Sequence, residues 1–276
     1  MPSLLAMPEP IANADQSLAG RVALVTGGSR GIGRAIAEVL VQAGATVVIT
    51  GRDTGRLAAS VEAIHALAPS GAVHAIALDV TDTASVTREF ADVRERIGRI
   101  DILVNNAGEA ASAPFHRTDE ALWERMLQVN LTGAWRCTRE VLPPLMKAEY
   151  GRVINIASTA GLVGYAYVSA YVAAKHGLVG LTRSLALETA RTGITVNAVC
   201  PGYTDTDLVR DAVNTIATKT GKTEDEARAS LAAVNPQGRL VQPAEVARCV
   251  LWLCAPDARS ITGQSIAISG GEVMTR

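Results

Sequence analysis

Seven short runs of apolar, mostly β-branched residues recur along the chain from Arg21 onward. Their apolar positions are nearly continuous rather than alternating, which is typical of strands buried on both faces of a parallel sheet. The runs therefore predict seven strands: RVALVTG, TVVIT, VHAIALDV, DILVNNA, GRVINIAS, TVNAVCPG and SIAISGG.

Amphipathic segments separate the first six runs and lie near residues 32–43, 54–68, 83–97, 118–149 and 168–190. Each segment is long enough for the right-handed crossover that joins parallel strands. A further helix is expected at 243–254, before the last run. The pattern predicts an α/β fold, a doubly wound parallel sheet of seven strands with helices on both faces.

No linker-like composition, repeat or low-complexity segment divides this pattern, so we expect one domain, residues 19–276. Residues 1–18 are rich in Pro and polar residues and lack a basic start, which predicts a flexible extension rather than a signal peptide. No run approaches the roughly 18 apolar residues that span a bilayer. We expect a cytoplasmic protein without a membrane partner.

A long polar and helical insertion at 203–240 interrupts the alternation after the sixth run. Ligands of open parallel sheets bind at the carboxyl ends of the strands, so a segment that follows a strand overhangs the site. The insertion also carries apolar residues that could form one covering face. We expect it to act as a substrate lid.

Composition narrows the function classes. Hydrophobic residues make up 48% of the chain and the net charge is −1, with acidic and basic residues interspersed. This balance argues against nucleic acid or an anionic membrane as the main partner and favours a small-molecule substrate. The four cysteines form no C-x-x-C pair and the four histidines no cluster with metal-ligand spacing, so we expect free thiols and no metal.

A glycine-rich loop, VTGGSRGIGRA at 25–35, joins the first predicted strand to the first helix. Gly27, Gly31 and Gly33 allow a tight turn and a close approach of the backbone to a ligand, and the helix that follows presents free N–H groups. The loop predicts a site for the pyrophosphate of a dinucleotide.

The end of the second predicted strand indicates which dinucleotide binds. An acidic residue there usually contacts the ribose 2′-hydroxyl of NAD, but this chain has Thr50, Gly51 and Arg52. Asp53 lies slightly too late and is better interpreted as the N-cap of the next helix. Arg52, together with Arg30 of the glycine loop, suits a 2′-phosphate. NADP(H) is therefore favoured, with NAD(H) as the alternative.

Tyr171 and Lys175 lie four residues apart in an apolar segment, a spacing that places both side chains on one helix face. Taken alone, the pair is compatible with a tyrosine packed in the core and a lysine that extends past it to water. The other motifs of the chain change this interpretation.

Several motifs occur together in one order: T-G-x-x-x-G-x-G at 26–33, NNAG at 105–108, Asn130, Ser158, Tyr171-x-x-x-Lys175 and PGYTDT at 201–206. Over about residues 19–271 the sequence resembles the short-chain dehydrogenase/reductase family. The resemblance implies a Rossmann-type sheet, a nicotinamide cofactor, a catalytic Ser158–Tyr171–Lys175 group supported by Asn130, and a homotetramer. The candidate cofactor-binding residues are Gly27, Ser29, Arg30, Gly31, Ile32, Gly33, Arg52, Asp79, Val80, Asn106, Ala107, Gly108, Tyr171, Lys175, Pro201, Gly202, Thr204 and Thr206.

The chemistry of these residues agrees with the resemblance. Hydride transfer between nicotinamide and a carbonyl carbon leaves charge on the oxygen, so a nearby group must give or take a proton. A cation about 4 Å from the Tyr171 phenol would favour its ionised form by roughly 4 kcal/mol at most, so we expect Lys175 to lower the pKa of Tyr171. Ser158 is placed to donate to the oxyanion. By resemblance, Asn130 holds a proton-relaying water, with a buried structural asparagine as the alternative.

The substrate is the least determined feature. The sequence is similar to D-3-hydroxybutyrate dehydrogenases, which bind a free carboxylate through three polar side chains, and here the matching residues are Ala110, Ala160 and Val168. An unpaired buried charge is costly, which argues against the free acid. We expect a neutral 3-oxoacyl thioester, most simply of coenzyme A. The candidate substrate-binding residues are Ala110, Ala160, Leu162, Tyr165, Val168 and Tyr203.

Three alternatives stay open at this stage. The sequence is also similar to 3-oxoacyl carrier-protein reductases, which dock an acidic carrier through a basic residue just before the fifth strand. Glu149 occupies that place here, although Lys147 and Arg152 are near. Another hydrophobic ketone or alcohol is the second alternative. A nucleotide-binding sensor without turnover is the third, since fold alone does not imply catalysis.

Overall fold

The computed structural model describes residues 16–69 and 71–274. Seven parallel strands form one sheet in the order β3-β2-β1-β4-β5-β6-β7, so the predicted doubly wound sheet is confirmed. The strands are β1 (Val22–Thr26), β2 (Thr46–Gly51), β3 (Val73–Ala77), β4 (Ile102–Asn105), β5 (Gly151–Ile156), β6 (Ile194–Pro201) and β7 (Ser265–Ile268).

Helices cover both faces of this sheet, and in the described part of the chain their bounds lie close to the predicted ones. They are α1 (Gly31–Gln42), α2 (Thr54–Leu67), α3 (Thr83–Arg96), α4 (Glu120–Leu127), α5 (Gly133–Leu145), α6 (Ser169–Glu188), α7 (Asp207–Thr220), α8 (Glu224–Ala232) and α9 (Pro243–Cys254). The Asp53 side chain accepts a hydrogen bond from the Arg56 N–H, so Asp53 is the N-cap of α2, as expected.

The amphipathic segment expected at 118–149 forms two helices, α4 and α5, which are separated by a π-helical turn at Gln128–Thr132. The Asn130 side chain donates to the Met126 carbonyl oxygen at 3.0 Å. A regular α-helix would reserve that carbonyl for the backbone N–H of residue 130. Wider turns of this kind occur frequently at functional sites.

Apolar clusters fill the space between the sheet and each helical layer. On one face, residues of α1, α2 and α9 pack on the strands, including Ile36, Leu40 and Val250, all fully buried. On the other face α3 and α5 supply Phe90 and Val141. Continuous apolar strands are buried on both sides in such a sheet, which is the reason for their sequence pattern.

The N-terminal boundary differs from the expectation. Residues 1–15 of the predicted extension lie outside the described residues. Leu18, which the sequence assigned to the extension, is fully buried in the core, and its N–H donates to the Ala43 carbonyl oxygen at 3.0 Å. Within the described ranges, no helix combines the length and apolar character needed to cross a membrane.

The insertion at 203–240 folds into α7 and α8, which share a small apolar cluster of their own that includes Val213 and Leu231. Its two ends are held together, since the Val241 N–H donates to the Tyr203 carbonyl oxygen and the Asp205 N–H to the Val241 carbonyl oxygen, both at 2.9 Å. The insertion is therefore a compact unit attached at one point after β6.

Candidate active site

A cleft of about 1200 Å³ runs along the carboxyl ends of the strands. The strand order reverses between β1 and β4, and open parallel sheets bind ligands in the crevice at such a reversal. The four candidate catalytic residues and all candidate cofactor-binding residues line this one cleft. The insertion lies over it, with five apolar lining residues: Leu208, Val209, Ala212, Ile216 and Leu231.

The glycine loop is tightly packed between β1 and the end of β4. A Cβ on Gly33 would lie 2.3 Å from the Gly27 carbonyl oxygen and 2.4 Å from Nδ2 of Asn106, so a larger residue does not fit. Gly27 has a φ of +64°, which favours glycine. Asn106 Nδ2 donates to the carbonyl oxygens of Thr26 and Gly27 at 2.9 and 3.0 Å. The loop is thus held in place to present its backbone to a ligand.

Three arginines line the end of the cleft beside β2, where two had been expected. Arg52 follows β2, as the sequence indicated. Arg30 also lines the cleft, but its Nη1 lies 2.9 Å from Oδ2 of Asp207, so its charge is partly compensated. Arg56, on the first turn of α2, was missed by the sequence reasoning and is paired with Asp53 at 3.2 Å. Its spacing of four residues from Arg52 was the available signal.

Asp79 follows β3 and faces the same end of the cleft. Burial raises the pKa of this carboxyl, but hydrogen bonds from the Thr81 N–H and hydroxyl, with the charges of Arg52 and Arg136, outweigh burial and leave the pKa lowered. A fixed, ionised carboxylate beside a cation is suited to a polar part of a nucleotide.

Ser158 and Tyr171 meet in the middle of the cleft. Ser158 follows β5, and its Oγ accepts a hydrogen bond from the Ala160 N–H at 3.1 Å. Tyr171 lies on the first turn of α6. Burial raises the pKa of the Tyr171 phenol, and a hydrogen bond with the Ser158 side chain opposes this shift without cancelling it.

The expected lowering of the Tyr171 pKa by Lys175 is therefore not found. Lys175 is 4% exposed, and its Nζ donates to the Ile156 carbonyl oxygen at 2.8 Å. The same Nζ lies 5.7 Å from the centroid of the Tyr171 ring. The ammonium is held by the end of β5 instead of by the phenol. Burial lowers the pKa of Lys175 to about 8.

Asn130 lies in the π-helical turn and is 1% exposed. Its Nδ2 donates to the Glu109 carbonyl oxygen at 2.9 Å, and its Oδ1 accepts from the Glu109 N–H at 3.3 Å. A Cβ on Gly108 would lie 2.9 Å from the Asn130 Oδ1 and 3.7 Å from the Lys175 Nζ, so both side chains border Gly108. Asn130 is thus a satisfied buried amide that anchors residue 109, and the proton-relaying water stays a prediction.

Five of the six candidate substrate-binding residues line the cleft: Ala110, Ala160, Tyr165, Val168 and Tyr203. The sixth candidate, Leu162, is not among the described lining residues and packs against a cluster that contains Ala157 and Leu178. The rings of Tyr165 and Tyr203 are nearly perpendicular, with centroids 6.4 Å apart.

Two further residues of this end were not found from the sequence. Tyr167 lines the cleft with a φ of +67°, and its carbonyl oxygen accepts from the Ala113 N–H at 2.8 Å. Glu272, from beyond β7, accepts a hydrogen bond from the Tyr165 hydroxyl. The sequence near these two residues does not indicate their positions. The positive φ of Tyr167 and the contact of Glu272 with Tyr165, 107 residues away, arise only in the folded chain.

This site defines a class of enzyme. A seven-stranded doubly wound sheet presents the glycine loop and the four candidate catalytic residues to one cleft. The family model of the short chain dehydrogenases matches residues 21–217. The chain belongs to the short-chain dehydrogenase/reductase family, the NAD(P)-dependent oxidoreductases that interconvert ketones and alcohols.

Two relatives of known name are similar over nearly the whole chain. A 3-oxoacyl-[acyl-carrier-protein] reductase of Vibrio harveyi is 41% identical, with 94% of this chain and 99% of the relative covered. A D-beta-hydroxybutyrate dehydrogenase of Rhizobium meliloti (strain 1021) is 38% identical, with coverage of 91% and 98%.

Solved structures are equally close in fold. A variant of actinorhodin polyketide ketoreductase, crystallised with NADPH, has a TM-score of 0.88 and 36% identity over 95% of this chain and 99% of its own. Levodione reductase has a TM-score of 0.87 and 34% identity, with coverage of 92% and 98%.

Proposed function

We propose that this protein reduces the ketone of a 3-oxoacyl thioester to a secondary alcohol, with NADPH as the preferred hydride donor. The observation that carries the proposal is the cleft itself, which joins Ser158 and Tyr171 to a substrate end where Ala110, Ala160 and Val168 offer no side-chain hydrogen-bond donor. A neutral acyl group suits that lining, whereas a free carboxylate would meet no cation and no donor at these three positions.

The residues of the cleft fit a nicotinamide dinucleotide. The glycine loop and the N-terminus of α1 would hold the pyrophosphate, because the loop has no room for a Cβ at Gly33 and presents its backbone. Arg52 would hold a 2′-phosphate and Lys175 the ribose hydroxyls. The nicotinamide supplies the hydride when bound.

The chain's own groups manage the proton and the charge. Tyr171 keeps its proton at neutral pH because burial raises its pKa, and a protonated phenol is the form that can give a proton to the alkoxide produced by reduction. The Ser158 hydroxyl, close enough to the Tyr171 phenol to influence its pKa, is placed to donate to the same oxygen. After this transfer Tyr171 lacks its proton, and Lys175, whose pKa burial lowers to about 8, is suited to return one to it.

The acyl group could be carried either by an acyl carrier protein or by coenzyme A. The names of several relatives favour an acyl carrier protein, while coenzyme A was the simpler expectation from the sequence. Of the two cations near the start of β5, Arg152 is 2% exposed and donates inward to the carbonyl oxygens of Gly151 and Ala255 at 2.9 and 3.2 Å. Arg152 is therefore unsuited to dock a carrier, which leaves Lys147 beside Glu149 and favours coenzyme A.

A cyclic or otherwise bulky ketone is the second candidate. The perpendicular pair of Tyr165 and Tyr203 offers flat apolar surface at the substrate end, and such ring surfaces suit planar groups. Levodione reductase and the polyketide ketoreductase, both close in fold, are named for ketones of other classes.

A substrate panel tests the proposal. We expect acetoacetyl-CoA, or a longer or cyclic β-ketoacyl-CoA, to be reduced with at least about tenfold higher kcat/KM than free acetoacetate, because an uncompensated charge in the pocket costs more than 1.4 kcal/mol. The loss of NADPH absorbance measures each rate. The same acyl chains on a carrier protein complete the panel. Higher efficiency with free acetoacetate would contradict the proposal.

We also propose that the chain assembles as a homotetramer, and that the protein is cytoplasmic, as expected from the sequence. Strand β7 is at the edge of the sheet, and its four residues are only half-buried in a single chain, although two of them are isoleucines. An apolar edge of this kind is suited to contact with a second copy. Light scattering at micromolar concentration is expected to give about four times the chain mass of 28.8 kDa. A stable monomer would contradict the proposal.

A further inference from the structure

A carboxylate from the C-terminal end of the domain, Glu272, lies behind the substrate end of the cleft: it is not among the lining residues but contacts Tyr165, which is. Gly270 and Gly271, with φ of +61° and +97°, turn the chain directly after β7. The Glu272 N–H donates to the Ser269 carbonyl oxygen at 3.2 Å, which closes the turn. Only glycine adopts two successive residues of this kind without strain, so the turn fixes the direction in which Glu272 points.

Glu272 holds Tyr165 through a short chain of hydrogen bonds. The Tyr165 hydroxyl donates to Oε1 of Glu272. A phenol has one hydrogen to give, so the Thr159 hydroxyl, whose Oγ1 lies 2.8 Å from the phenol oxygen, donates to it in turn. Thr159 is 3% exposed and directly follows Ser158. Glu272 is thereby connected to the segment that carries a catalytic residue.

The second oxygen of Glu272 is buried without a hydrogen-bond partner among the described residues. A Cβ on Gly202 would lie 2.7 Å from this Oε2, so the carboxylate occupies the space beside a residue of the cleft lining. A buried carboxylate with an unused acceptor is costly and needs a reason in its surroundings. In the cleft wall the carboxylate contacts Tyr165 and lies beside Gly202, and its charge also acts on Tyr203.

The charge of Glu272 acts on this wall. Burial raises the pKa values of Tyr165 and Tyr203, and Glu272 raises both further, through its hydrogen bond with Tyr165 and through its negative charge. Burial also raises the pKa of the Glu272 carboxyl itself, opposed by the Tyr165 hydrogen bond, so the negative charge is fully present only above the ordinary pKa range of a glutamate. The same repulsion applies to any anionic group that enters beside these two rings. At about 10 Å and an effective dielectric near 20, such repulsion corresponds to roughly a tenfold change in binding.

We propose that Glu272 is a specificity-determining residue, which positions Tyr165 in the substrate wall and whose negative charge there selects uncharged ketones over keto acids. The inference rests on the proposed function and extends it. Because Ala110, Ala160 and Val168 offer no cation, the substrate end does not attract the carboxylate of a keto acid. The negative charge of Glu272 in addition repels that carboxylate.

The test compares a neutral and an anionic substrate of the same acyl chain, ethyl acetoacetate and acetoacetate, in the full-length chain with NADPH. Glu272→Gln keeps the size and the acceptor of the side chain but removes its charge. We expect the ratio of kcat/KM for ester over acid to fall about tenfold. Where acetoacetate is not turned over, its inhibition constant against ester reduction is measured instead, and Glu272→Gln is expected to lower that constant about tenfold. Glu62→Gln, on the exposed side of α2, is the matched control and is expected to leave the ratio unchanged.

A second variant tests the positioning role. Tyr165→Phe removes the hydroxyl that Glu272 holds, and we expect KM for the ester to rise severalfold with kcat nearly unchanged, because the wall loosens while Ser158 and Tyr171 stay in place. In the double variant with Glu272→Gln, the two effects on KM are expected to be less than additive, as for groups in one hydrogen-bond chain.

Two results would overturn the inference: an unchanged ester-to-acid ratio in Glu272→Gln, with or without a loss of activity on both substrates, or full additivity of the KM effects in the double variant. Failure of the proposed function has a different signature, namely a parent enzyme that prefers free acids or unrelated ketones to thioesters. The effect of Glu272 on the ratio remains measurable in that case with any keto ester and keto acid pair that the enzyme accepts.

Discussion

Tyr171→Phe is expected to lower kcat for ketone reduction by about 10²–10⁴-fold, the usual contribution of a positioned proton donor. Phenylalanine keeps the ring on the first turn of α6 and removes the hydroxyl that lies near Ser158. Since the hydroxyl is not part of the glycine loop or the arginine end of the cleft, the Kd for NADPH, measured by its fluorescence, is expected to change by no more than about threefold.

Tyr203→Phe is the matched control for this loss. It removes a phenol hydroxyl from the same cleft, at a residue whose ring borders Tyr165 rather than Ser158. We expect kcat within about threefold of the parent. Activity of Tyr171→Phe within tenfold of the parent would remove Tyr171 from its assigned role. Because burial raises the Tyr171 pKa, reduction in the parent is expected to stay constant through neutral pH and to fall only in alkaline solution, as the phenol ionises.

Arg52→Ala is expected to lower kcat/KM with NADPH by about 10- to 100-fold while kcat/KM with NADH changes little. Removing one charge-assisted hydrogen bond to a phosphate costs about 1.5–3 kcal/mol of binding free energy. NADH has no 2′-phosphate, so its binding does not depend on this hydrogen bond. Arg52 lines the cleft directly after β2, whereas Arg30 and Arg56 are already paired with Asp207 and Asp53. The effect is therefore expected to be largest at Arg52.

Steady-state kinetics with both cofactors checks this prediction, and Arg34→Ala is the control. Arg34 lies on α1 and pairs with Glu38 at 2.8 Å, so its loss removes a nearby charge outside the cleft lining. A parent enzyme that uses NADPH and NADH equally well would contradict the preference. An equal drop with both cofactors in Arg52→Ala would show that Arg52 stabilises the loop and does not read the phosphate.

Much of the site could be predicted from the sequence because its residues belong to short local motifs. Gly27, Gly31 and Gly33 lie within one strand-to-helix loop, and Tyr171 and Lys175 share one helix face. The carboxyl ends of parallel strands meet at one edge of the sheet, so residues that end β1, β4, β5 and β6 were bound to converge once the strand pattern was recognised.

The errors came from interactions that local patterns do not encode. Leu162 is apolar and close to Ser158 in sequence, but the chain turns there and packs Leu162 below the cleft. Lys175 has the expected spacing from Tyr171, yet its ammonium bonds to the Ile156 carbonyl oxygen of a neighbouring strand. The Tyr171 pKa accordingly follows burial and the Ser158 hydrogen bond, not the lysine.

By itself, the sequence determined the order of strands and helices, the glycine loop and the set of candidate catalytic residues, because hydrophobic periodicity and motif spacing are properties of neighbouring residues. Only the tertiary structure decided which side chains pair across the cleft. Arg30 meets Asp207 across 177 residues, and Glu272 meets Tyr165 across 107. Such contacts depend on where whole elements pack, and that packing places a carboxylate from the end of the domain behind the substrate wall.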